Sequence, residues 1–493
     1  MEIRVRYAPS PTGNQHIGGI RTALYNYLYA RSKGGKFILR LEDTDQTRCE
    51  ERYTKNLYDS FDWLGFRWDE GPDTGGPHGP YVQSERFDLY KKHAAELVER
   101  GHAYYCFCSS ERLEEVRRER EASKSSETGY DRFCREIPLE EAASRVASGE
   151  AHTIRLKIPL GKSTTYTDHV IGKVEWKNED INSDPVLLKS DGFPTYHLAV
   201  IIDDHIMGIT HILRAQEWLP STPIHVILYD SFGWQHPEFC HLPMVMGLDG
   251  KKLSKRHGST SLNEFIEQGY LPQALINYIA MVGASFEEGK EIYSLDELIT
   301  HFSIDKLSKS PAIFDYKKLE WFNGQYIRMM SDDALAAATL PFAIAQGLFG
   351  KPGEKPTGAQ EELFKKSMPL VKERVVFLTE IPGKVEYLFK DFVLPPKEEF
   401  IPKKADLNQT LDSLKKGKDI VKQLIEAKTD EEAENFIKTY CEKEGLKLGD
   451  LMMPLRVAIT GSKVSPPLFP SLRLLGEEQT LKRIDSAIML LEN

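Results

Sequence analysis

Residues 3–19 read Ile3-Arg4-Val5-Arg6-Tyr7-Ala8-Pro9-Ser10-Pro11-Thr12-Gly13-Asn14-Gln15-His16-Ile17-Gly18-Gly19. The apolar start predicts a buried strand, the proline- and glycine-rich middle predicts a turn, and the end predicts the start of a helix. Apolar residues continue at helical spacing, namely Ile20, Ala23, Leu24, Tyr27 and Leu28. Gly34 follows at the position of a C-terminal cap. The segment is therefore predicted to form a strand–turn–helix unit.

The end of this strand has the features of an anion-binding site. A period of two places Arg6, Ala8 and Ser10 on the same side of the strand. Gly18 and Gly19 remove side chains where the helix begins, so a nucleotide could approach the backbone and the positive end of the helix dipole. The same residues also fit a simpler interpretation, in which the glycines only form the turn.

A second strand is predicted at residues 36–41, where it runs into the acidic turn 42–45. A helix follows, with Leu57, Phe61 and Leu64 on one face. Alternating strands and helices predict a parallel, doubly wound α/β sheet, in which ligands bind beyond the carboxyl ends of the strands. Glu42 lies at such an end, although the acidic turn also fits a simple cap for the next helix.

Length and composition exclude several classes of protein. With 493 residues the chain is too long for one core, and 41% hydrophobic with 28% charged residues is typical of a globular protein. No apolar run reaches the length of a membrane span, and no signal peptide is recognised. Six unevenly placed cysteines favour a reducing cytoplasm over a disulfide framework. A net charge of −10 means that any surface for RNA must be a local basic patch.

Residues 71–80 are rich in glycine and proline and interrupt the alternation of strands and helices. From this hinge to residues 184–185 the pattern is lost, which predicts an insertion between two halves of the nucleotide fold. Cys106, Cys108 and Cys134 are grouped within it. Clustered thiolates suit tetrahedral Zn²⁺ in a structural site, and the alternative is three buried thiols without a metal.

The sheet is predicted to resume with a strand at residues 192–202 and another at 208–212 that runs into Arg214. Arg6 and Arg214, from separate strands, could neutralise one buried carboxylate, because the planar guanidinium bonds both carboxylate oxygens. Such a pair would reject an amide, whose donors would face cationic donors. A single buried arginine more often forms an internal salt bridge.

Two segments resemble the signatures of class I aminoacyl-tRNA synthetases, in the form found in bacterial glutamyl-tRNA synthetases. The first is residues 9–13 followed by His16-Ile17-Gly18-Gly19, where Gly19 replaces the second histidine of the general motif. The second is residues 246–256, ending in Lys252-Leu253-Ser254-Lys255-Arg256. The order of the two segments across a split sheet makes the resemblance specific.

The resemblance implies a class I Rossmann-like parallel sheet split by an insertion domain and followed by an all-α anticodon-binding region. The implied domains are the first catalytic half (1–80), the inserted acceptor-end-binding domain with the zinc site (81–185), the second catalytic half (186–256), a stem-contact helical domain (257–325) and two anticodon-binding helical subdomains (326–382 and 383–493).

The resemblance also implies roles for individual residues. The catalytic residues would be His16, Lys252 and Lys255. The glutamate site would comprise Arg6, Ala8, Ser10, Glu42, Tyr196 and Arg214. The ATP site would comprise His16, Gly18, Glu217, Trp218 and Lys255. Arg374 would read an anticodon base, and Zn²⁺ would be held by Cys106, Cys108, Tyr130 and Cys134, with Glu136 as the reserve for Tyr130.

The activity implied by the resemblance is the ligation of glutamate to tRNA(Glu), with ATP and Mg²⁺, by a cytoplasmic monomer that has no membrane partner. An alternative is a form that also charges tRNA(Gln). A glutaminyl enzyme is disfavoured because its C-terminal half should read as β-barrels, whereas residues after 262 read as helices. A non-catalytic RNA-binding descendant is disfavoured because both signatures are intact.

Overall fold

The computed structural model describes residues 2–45, 47–123, 129–181 and 183–493, and the side chain of Lys255 lies outside the described part. The chain forms two compact units. The first comprises Met1–Ile266 and Pro272–Tyr316, and the second comprises Glu267–Leu271 and Lys317–Asn493. Among the described helices, none combines the length and the apolar character needed to cross a membrane.

The first unit contains both strands and helices. Its strands are β1 (Arg4–Tyr7), β2 (Lys36–Leu39), β3 (Ala103–Cys106), β4 (Thr153–Leu156), β5 (Ser163–Asp168), β6 (Gly172–Lys177), β7 (Val186–Leu188), β8 (His211–Ala215), β9 (Glu238–Leu242), β10 (Val245–Met246) and β11 (Ala312–Ile313). The helices up to residue 301 are α1 (Ile17–Ser32), α2 (Glu51–Leu64), α3 (Phe87–Glu99), α4 (Ser110–Ala122), α5 (Leu139–Ala147), α6 (Tyr196–Ile206), α7 (Thr222–Phe232), α8 (Leu262–Gln268), α9 (Pro272–Met281) and α10 (Leu295–His301).

The central strands of this unit are parallel, as the sequence predicts. β1 pairs in parallel with β2, and helix α1 connects them. β8 pairs in parallel with β9. The N–H of Thr210, just before β8, donates to the carbonyl of Arg4 at 2.9 Å, which brings β8 beside β1. Because β1 and β8 both end near the start of α1, residues that follow these strands can meet in one cleft.

The alternation of strands and helices is lost after the residue 71–80 hinge, as predicted. β3, β4 and β7 form a separate antiparallel sheet. β5 and β6 form an antiparallel hairpin, and β5 joins the parallel strands where Asp168 pairs with Phe239 of β9. A part of the predicted insertion therefore packs into the sheet of β8 and β9.

The prediction of a strand at residues 192–202 is wrong, because residues 196–206 form helix α6. Its apolar residues Leu198 to Ile202 are at most 1% exposed, and the helix packs against both α3 and α7. A short run that is apolar on every side does not distinguish a buried helix from a buried strand. As a consequence, Asp203 and Asp204 lie at the end of a helix in the core.

The second unit contains helices and no strand among its described residues. Its helices are α11 (Tyr316–Met329), α12 (Asp332–Ala345), α13 (Gly358–Val371), α14 (Ile381–Val385), α15 (Leu407–Glu426), α16 (Asp430–Glu444), α17 (Leu448–Thr460), α18 (Leu468–Leu475) and α19 (Glu477–Glu492). α15 lies at the centre of the last five helices, where Leu414, Val421 and Leu424 are fully buried. The helical prediction for this region is confirmed.

Candidate active site

A cavity of about 450 Å³ opens at the ends of β1, β8 and β9, beside the start of α1. Its lining includes the following residues that the sequence predicts for the site: Arg6, Ala8, His16, Gly18, Glu42, Tyr196, Arg214, Glu217, Trp218 and Lys252. Ser10 is exposed and is not part of the lining. The side chain of Lys255 lies outside the described structure. The two signature segments therefore contribute to one cleft.

Arg214, in β8, is 5% exposed and is held entirely by uncharged groups. Its Nε donates to His241 Nε2 at 3.1 Å, one Nη donates to the Tyr196 hydroxyl at 3.1 Å, and the other donates to Thr222 Oγ1 at 2.8 Å. His225 Nδ1 lies 3.2 Å from Arg214 Nη1. No described carboxylate forms an ion pair with this guanidinium. Arg214 therefore brings to the cavity a positive charge that no described carboxylate contacts directly.

The histidines around Arg214 are neutral at physiological pH. Burial lowers the pKa of His241 and His225, and the nearby Arg214 charge lowers it further, although the hydrogen bond to Asp168 opposes this effect at His241. Burial and Arg214 also lower the pKa of His197 to about 4. A neutral imidazole can accept a hydrogen bond from Arg214, whereas an imidazolium cannot. The lowered pKa values of these histidines thus favour the hydrogen bonds that hold Arg214.

Arg6 lines the same cavity but has a carboxylate partner of its own. Its Nε and Nη2 donate to the buried Asp204 at 3.1–3.3 Å. Arg6 Nη1 makes no hydrogen bond to any described group. Arg6 thus forms the internal salt bridge that is usual for a buried arginine. The N–H groups of its Nη1 remain available to a ligand. Of the two predicted arginines, Arg214 is the one without a neutralising partner.

The sequence prediction missed a buried ionic network behind this cavity. Arg40, which is fully buried, donates to Asp204 at 2.7 Å and to Glu42 at 2.9 Å, and lies 3.7 Å from Asp203. Arg86 pairs with Asp203 at 2.7 Å. Burial raises the pKa of Glu42, although Arg40 opposes this effect. The sequence contained one signal for this network, because Arg40 is a charged residue inside the apolar run 37–41 and a buried charge requires a partner.

The start of α1 is open toward the cavity. His16 is the N-cap residue, and its Nδ1 accepts from the Gly18 N–H at 3.1 Å. A Cβ at Gly19 would lie 2.7 Å from the Tyr7 hydroxyl, so this glycine is required for close packing. A Cβ at Gly18 would meet only His16 Nδ1, at 3.5 Å, so Gly18 keeps the approach to the backbone open.

Other residues of the cavity lining form an aromatic contact and an ion pair. The ring of Trp218, which is 39% exposed, lies 4.5 Å from the ring of Tyr196. Lys252, from the second signature segment, places its ammonium 2.5 Å from Glu217 Oε2. Lys252 and Glu217 are both largely exposed, so an anionic ligand can compete for this lysine.

The three predicted thiols meet near the end of β3. The Sγ atoms of Cys106, Cys108 and Cys134 lie within 4.8 Å of one another. The Tyr130 hydroxyl lies 3.3 Å from Cys106 Sγ and 3.6 Å from Cys108 Sγ. Glu136 is directed away, with 82% of its side chain exposed and its carboxylate 3.6 Å from Arg135. The geometry thus gathers Tyr130, rather than Glu136, with the three cysteines.

Three further side chains of types that can bind a metal lie close together at the ends of β5, β8 and β9, namely His169, His211 and Glu238. His169 Nε2 lies 2.5 Å from Glu238 Oε2. This hydrogen bond and the 3.5 Å contact of Glu238 with His211 account for the grouping without a metal.

Arg374 lies in the second unit, far along the chain from the cavity. It is exposed, and its Nη1 donates to the carbonyl of Ser465 at 3.1 Å. Arg456 bonds to Ser465 Oγ and to the carbonyl of Pro466, both at 2.8 Å. Burial and the charge of Arg374 lower the pKa of Arg456. Two neighbouring arginines therefore form a local basic site in a chain of negative net charge.

Comparison with known proteins identifies the family. Residues 2–321 match the model of the catalytic domain of class I tRNA synthetases (E and Q), and residues 334–488 match an anticodon binding domain. The chain is 55% identical to a glutamate–tRNA ligase of Treponema denticola, in an alignment of 504 positions that covers 99% of each chain. The chain belongs to the glutamate–tRNA ligase family of class I tRNA synthetases.

Other members of the glutamate–tRNA ligase family agree over the full length. The Borreliella burgdorferi relative is 48% identical and covers 99% of this chain and 98% of its own. A crystal structure of a glutamate tRNA ligase from Elizabethkingia meningosepticum, in complex with its amino acid, superposes with a TM-score of 0.85, with 36% identity and full coverage of both chains. The sequence-based prediction of the family and of its fold class is confirmed.

Proposed function

We propose that this chain activates L-glutamate with ATP and transfers the glutamyl group to the 3′ end of tRNA(Glu). In the first step, the glutamate α-carboxylate attacks the α-phosphorus of Mg²⁺-bound ATP and pyrophosphate leaves. In the second step, a ribose hydroxyl of the terminal tRNA nucleotide attacks the acyl carbon and AMP leaves; class I membership favours the 2′-hydroxyl. The observation that carries this proposal is the single cavity that contains Arg6, Glu42 and Arg214 together with the open start of α1.

Charge balance supports glutamate as the substrate. Glutamate has two carboxylates and one ammonium, and so carries one net negative charge, whereas glutamine carries none. Arg214 supplies a positive charge that no described carboxylate contacts directly, and Arg6 Nη1 supplies further donors. Glutamine would leave the buried Arg214 guanidinium without a carboxylate in contact and would turn its amide N–H groups toward cationic donors. Glu42 is suited to accept the substrate ammonium, and Ala8 and Tyr196 to border its side chain; Ser10 would need to move to take part.

The ATP site is proposed at the start of α1 and at Glu217, Trp218 and Lys252 of the cavity lining. Gly18 would allow the adenosine to approach, and His16 and Lys255 would stabilise the triphosphate as pyrophosphate leaves. Lys252 would exchange Glu217 for a phosphate, and Trp218 would border the nucleotide. No side chain needs to act as a covalent nucleophile, because catalysis would depend on positioning and on charge stabilisation at phosphorus.

A structural Zn²⁺ ion is proposed at Cys106, Cys108, Cys134 and Tyr130. Zn–S bonds of about 2.3 Å in a tetrahedron require sulfur atoms about 3.8 Å apart. The 3.6 Å separation of the Cys108 and Cys134 Sγ atoms fits this requirement, and the Tyr130 hydroxyl lies at a similar distance from two of the thiols. Zinc bound here would stabilise the local fold near β3 and would take no part in the reaction.

The predicted domain boundaries extend this assignment to tRNA. Residues 81–185 would hold the acceptor end, residues 257–325 would contact the stem, and the helices from residue 326 onward would bind the anticodon, with Arg374 contacting a base. The relatives are named for glutamate alone, so the alternative in which tRNA(Gln) is also charged is not favoured. We expect a monomer, and we expect it in the cytoplasm because all six cysteines are free.

Aminoacylation of purified tRNA(Glu) and tRNA(Gln), with radiolabelled glutamate and glutamine as separate donors, tests the proposal. We expect glutamate to be attached to tRNA(Glu) in an ATP-dependent reaction, and no comparable signal with glutamine. Equal charging of both tRNAs would support the alternative, and absence of glutamate attachment would contradict the proposed function.

A further inference from the structure

The hydrogen bond from Arg214 to His241 continues to a third buried residue, Asp168. His241 Nδ1 lies 2.6 Å from Asp168 Oδ2, and His241 Nε2 lies 3.1 Å from Arg214 Nε. His241 is fully buried and Asp168 is 1% exposed. Asp168 is the last residue of β5, His241 lies in β9 and Arg214 lies in β8. Three neighbouring strands are thus connected by one line of polar groups that ends in the cavity.

The partners of Asp168 determine which nitrogen of His241 carries the proton. Asp168 accepts from the backbone N–H groups of Val170, Ile171 and His241 at 2.9–3.0 Å, in addition to the imidazole. These hydrogen bonds overcome the effect of burial and lower the pKa of Asp168, so it is a carboxylate that only accepts. His241 Nδ1 must therefore be the donor, and its Nε2 presents a lone pair to Arg214.

An imidazole between Asp168 and Arg214 has a different effect from a direct ion pair. A carboxylate in contact with Arg214 would fix the guanidinium but would also neutralise it, as Asp204 does for Arg6. A neutral imidazole accepts the Nε–H of Arg214 and adds no charge. The arrangement therefore fixes the orientation of Arg214 while its charge stays available to a ligand.

We propose that Asp168, acting through His241, is a positioning residue that holds Arg214 oriented, and free of direct carboxylate contact, for the side-chain carboxylate of glutamate. The inference rests on the proposed function and deepens it, because it assigns selection of an acidic over an amide side chain to residues that do not touch the substrate. Loss of the His241 acceptor would let Arg214 rotate out of the geometry needed for two parallel hydrogen bonds to a carboxylate.

The first test is His241→Phe, which retains a planar ring and removes Nε2. The Michaelis constants for glutamate and for ATP are measured by pyrophosphate exchange in the presence of tRNA. We expect the KM for glutamate to rise about tenfold or more, as for loss of a hydrogen bond to a charged group, with the KM for ATP nearly unchanged. The preference for glutamate over glutamine should fall by a similar factor. A general loss of structure would raise both constants or reduce kcat alone.

His236→Phe is the matched control. His236 is a half-buried histidine just before β9, and its ring is stacked 5.4 Å from Phe239. Among the described residues, its Nδ1 has one hydrogen-bond contact, to the nearby carbonyl of Pro237. The same substitution there should leave both Michaelis constants unchanged. Equal effects at His236 and His241, or equal changes for glutamate and ATP in His241→Phe, would overturn the proposal.

A double-mutant cycle tests the part played by Asp168. Asp168→Asn should raise the KM for glutamate in the wild-type background, because an amide can turn its N–H toward His241 Nδ1 and reverse the tautomer. In the His241→Phe background, Asp168→Asn should have little further effect on this KM. If His241→Phe does not fold, as judged by its melting curve, the cycle uses His241→Gln, whose amide oxygen can face Arg214 in either background.

Additive effects in either cycle would contradict the proposal. If the proposed function is wrong, the wild-type protein itself will show no glutamate-dependent pyrophosphate exchange. This result is distinct from failure of the positioning role, which appears only in the variants.

Discussion

Arg40 Nη1 lies 2.7 Å from Asp204 Oδ1, and both side chains are fully buried. Asp204 also accepts from Arg6, and Arg40 also donates to Glu42. The position of two proposed glutamate-binding side chains thus depends on a pair of residues behind the cavity. Because the charges are mutually compensated, the pair can remain ionised away from water.

Substitution of Arg40 by methionine should destabilise the first unit strongly. Removal of one partner from a buried ion pair leaves an unpaired charge and typically costs about 3–5 kcal/mol. The expected result is a large fall in the midpoint of thermal unfolding, measured by calorimetry. Arg48→Met is the control, since Arg48 pairs with Asp45 at the surface. Equal midpoints for the two variants would show that the network is not required for stability.

The motifs and their order along the chain were sufficient to predict the α/β class, the helical C-terminal region and the grouping of Arg6, Glu42 and Arg214. The first two features depend on the local sequence pattern. The third depends on strand ends that lie at the same edge of a sheet. Helix α6 could not be predicted, because burial on all sides removes the periodicity that separates helix from strand. The pairing of Arg40 with Asp204 could not be predicted either, since it joins residues that are 164 positions apart.

Substitution of Arg214 by alanine should weaken glutamate binding far more than ATP binding. The variant loses the only cavity-lining cation among the proposed glutamate ligands that lacks a carboxylate partner. Truncation of one member of a buried, hydrogen-bonded charge pair typically costs about 2–5 kcal/mol. The KM for glutamate should therefore rise at least about 30-fold in tRNA-dependent pyrophosphate exchange. Arg52→Ala, at an exposed arginine paired with Glu50, is the control. Equal losses for both ligands would make Arg214 a structural residue.

Substitution of Lys255 by alanine should reduce adenylate formation and leave glutamate binding nearly intact. A preorganised group that stabilises the charge of the transition state typically contributes about 3–4 kcal/mol to the lowering of the barrier. Pyrophosphate exchange with tRNA present measures the rate, and equilibrium binding of glutamate measures affinity. Lys251→Ala, at an exposed lysine of the same segment, is the control. A near-normal exchange rate in Lys255→Ala would contradict the proposed role.

Metal content should distinguish the two candidates for the fourth zinc ligand. We expect one zinc per chain in the wild-type protein, measured by elemental analysis after dialysis. Cys134→Ser and Tyr130→Phe should lose or weaken zinc binding, because each removes a group of the cluster. Glu136→Gln should retain the metal, because that side chain is directed into solvent. Loss of zinc in Glu136→Gln with retention in Tyr130→Phe would reverse the assignment.

The stability of the first unit should fall as the pH is lowered from about 6.5 toward 4. His197, His225 and His241 have lowered pKa values in the folded protein, and that of His197 is about 4, whereas the unfolded chain takes up protons near the ordinary histidine value. The unfolded state therefore binds more protons in this range, so acidification favours unfolding.

Each such histidine contributes up to about 1.4 kcal/mol per pH unit. Glu42 and Asp203 act in the opposite direction, because burial raises their pKa values, and they offset part of the slope. The measurement is the midpoint of thermal unfolding between pH 4.5 and 7. His225→Asn should make stability less dependent on pH, by the equivalent of about one proton taken up on unfolding. The reason is that the substitution removes one protonation site from the unfolded chain. An unchanged slope in this variant would mean that His225 is not a neutral acceptor for Arg214 in the folded protein.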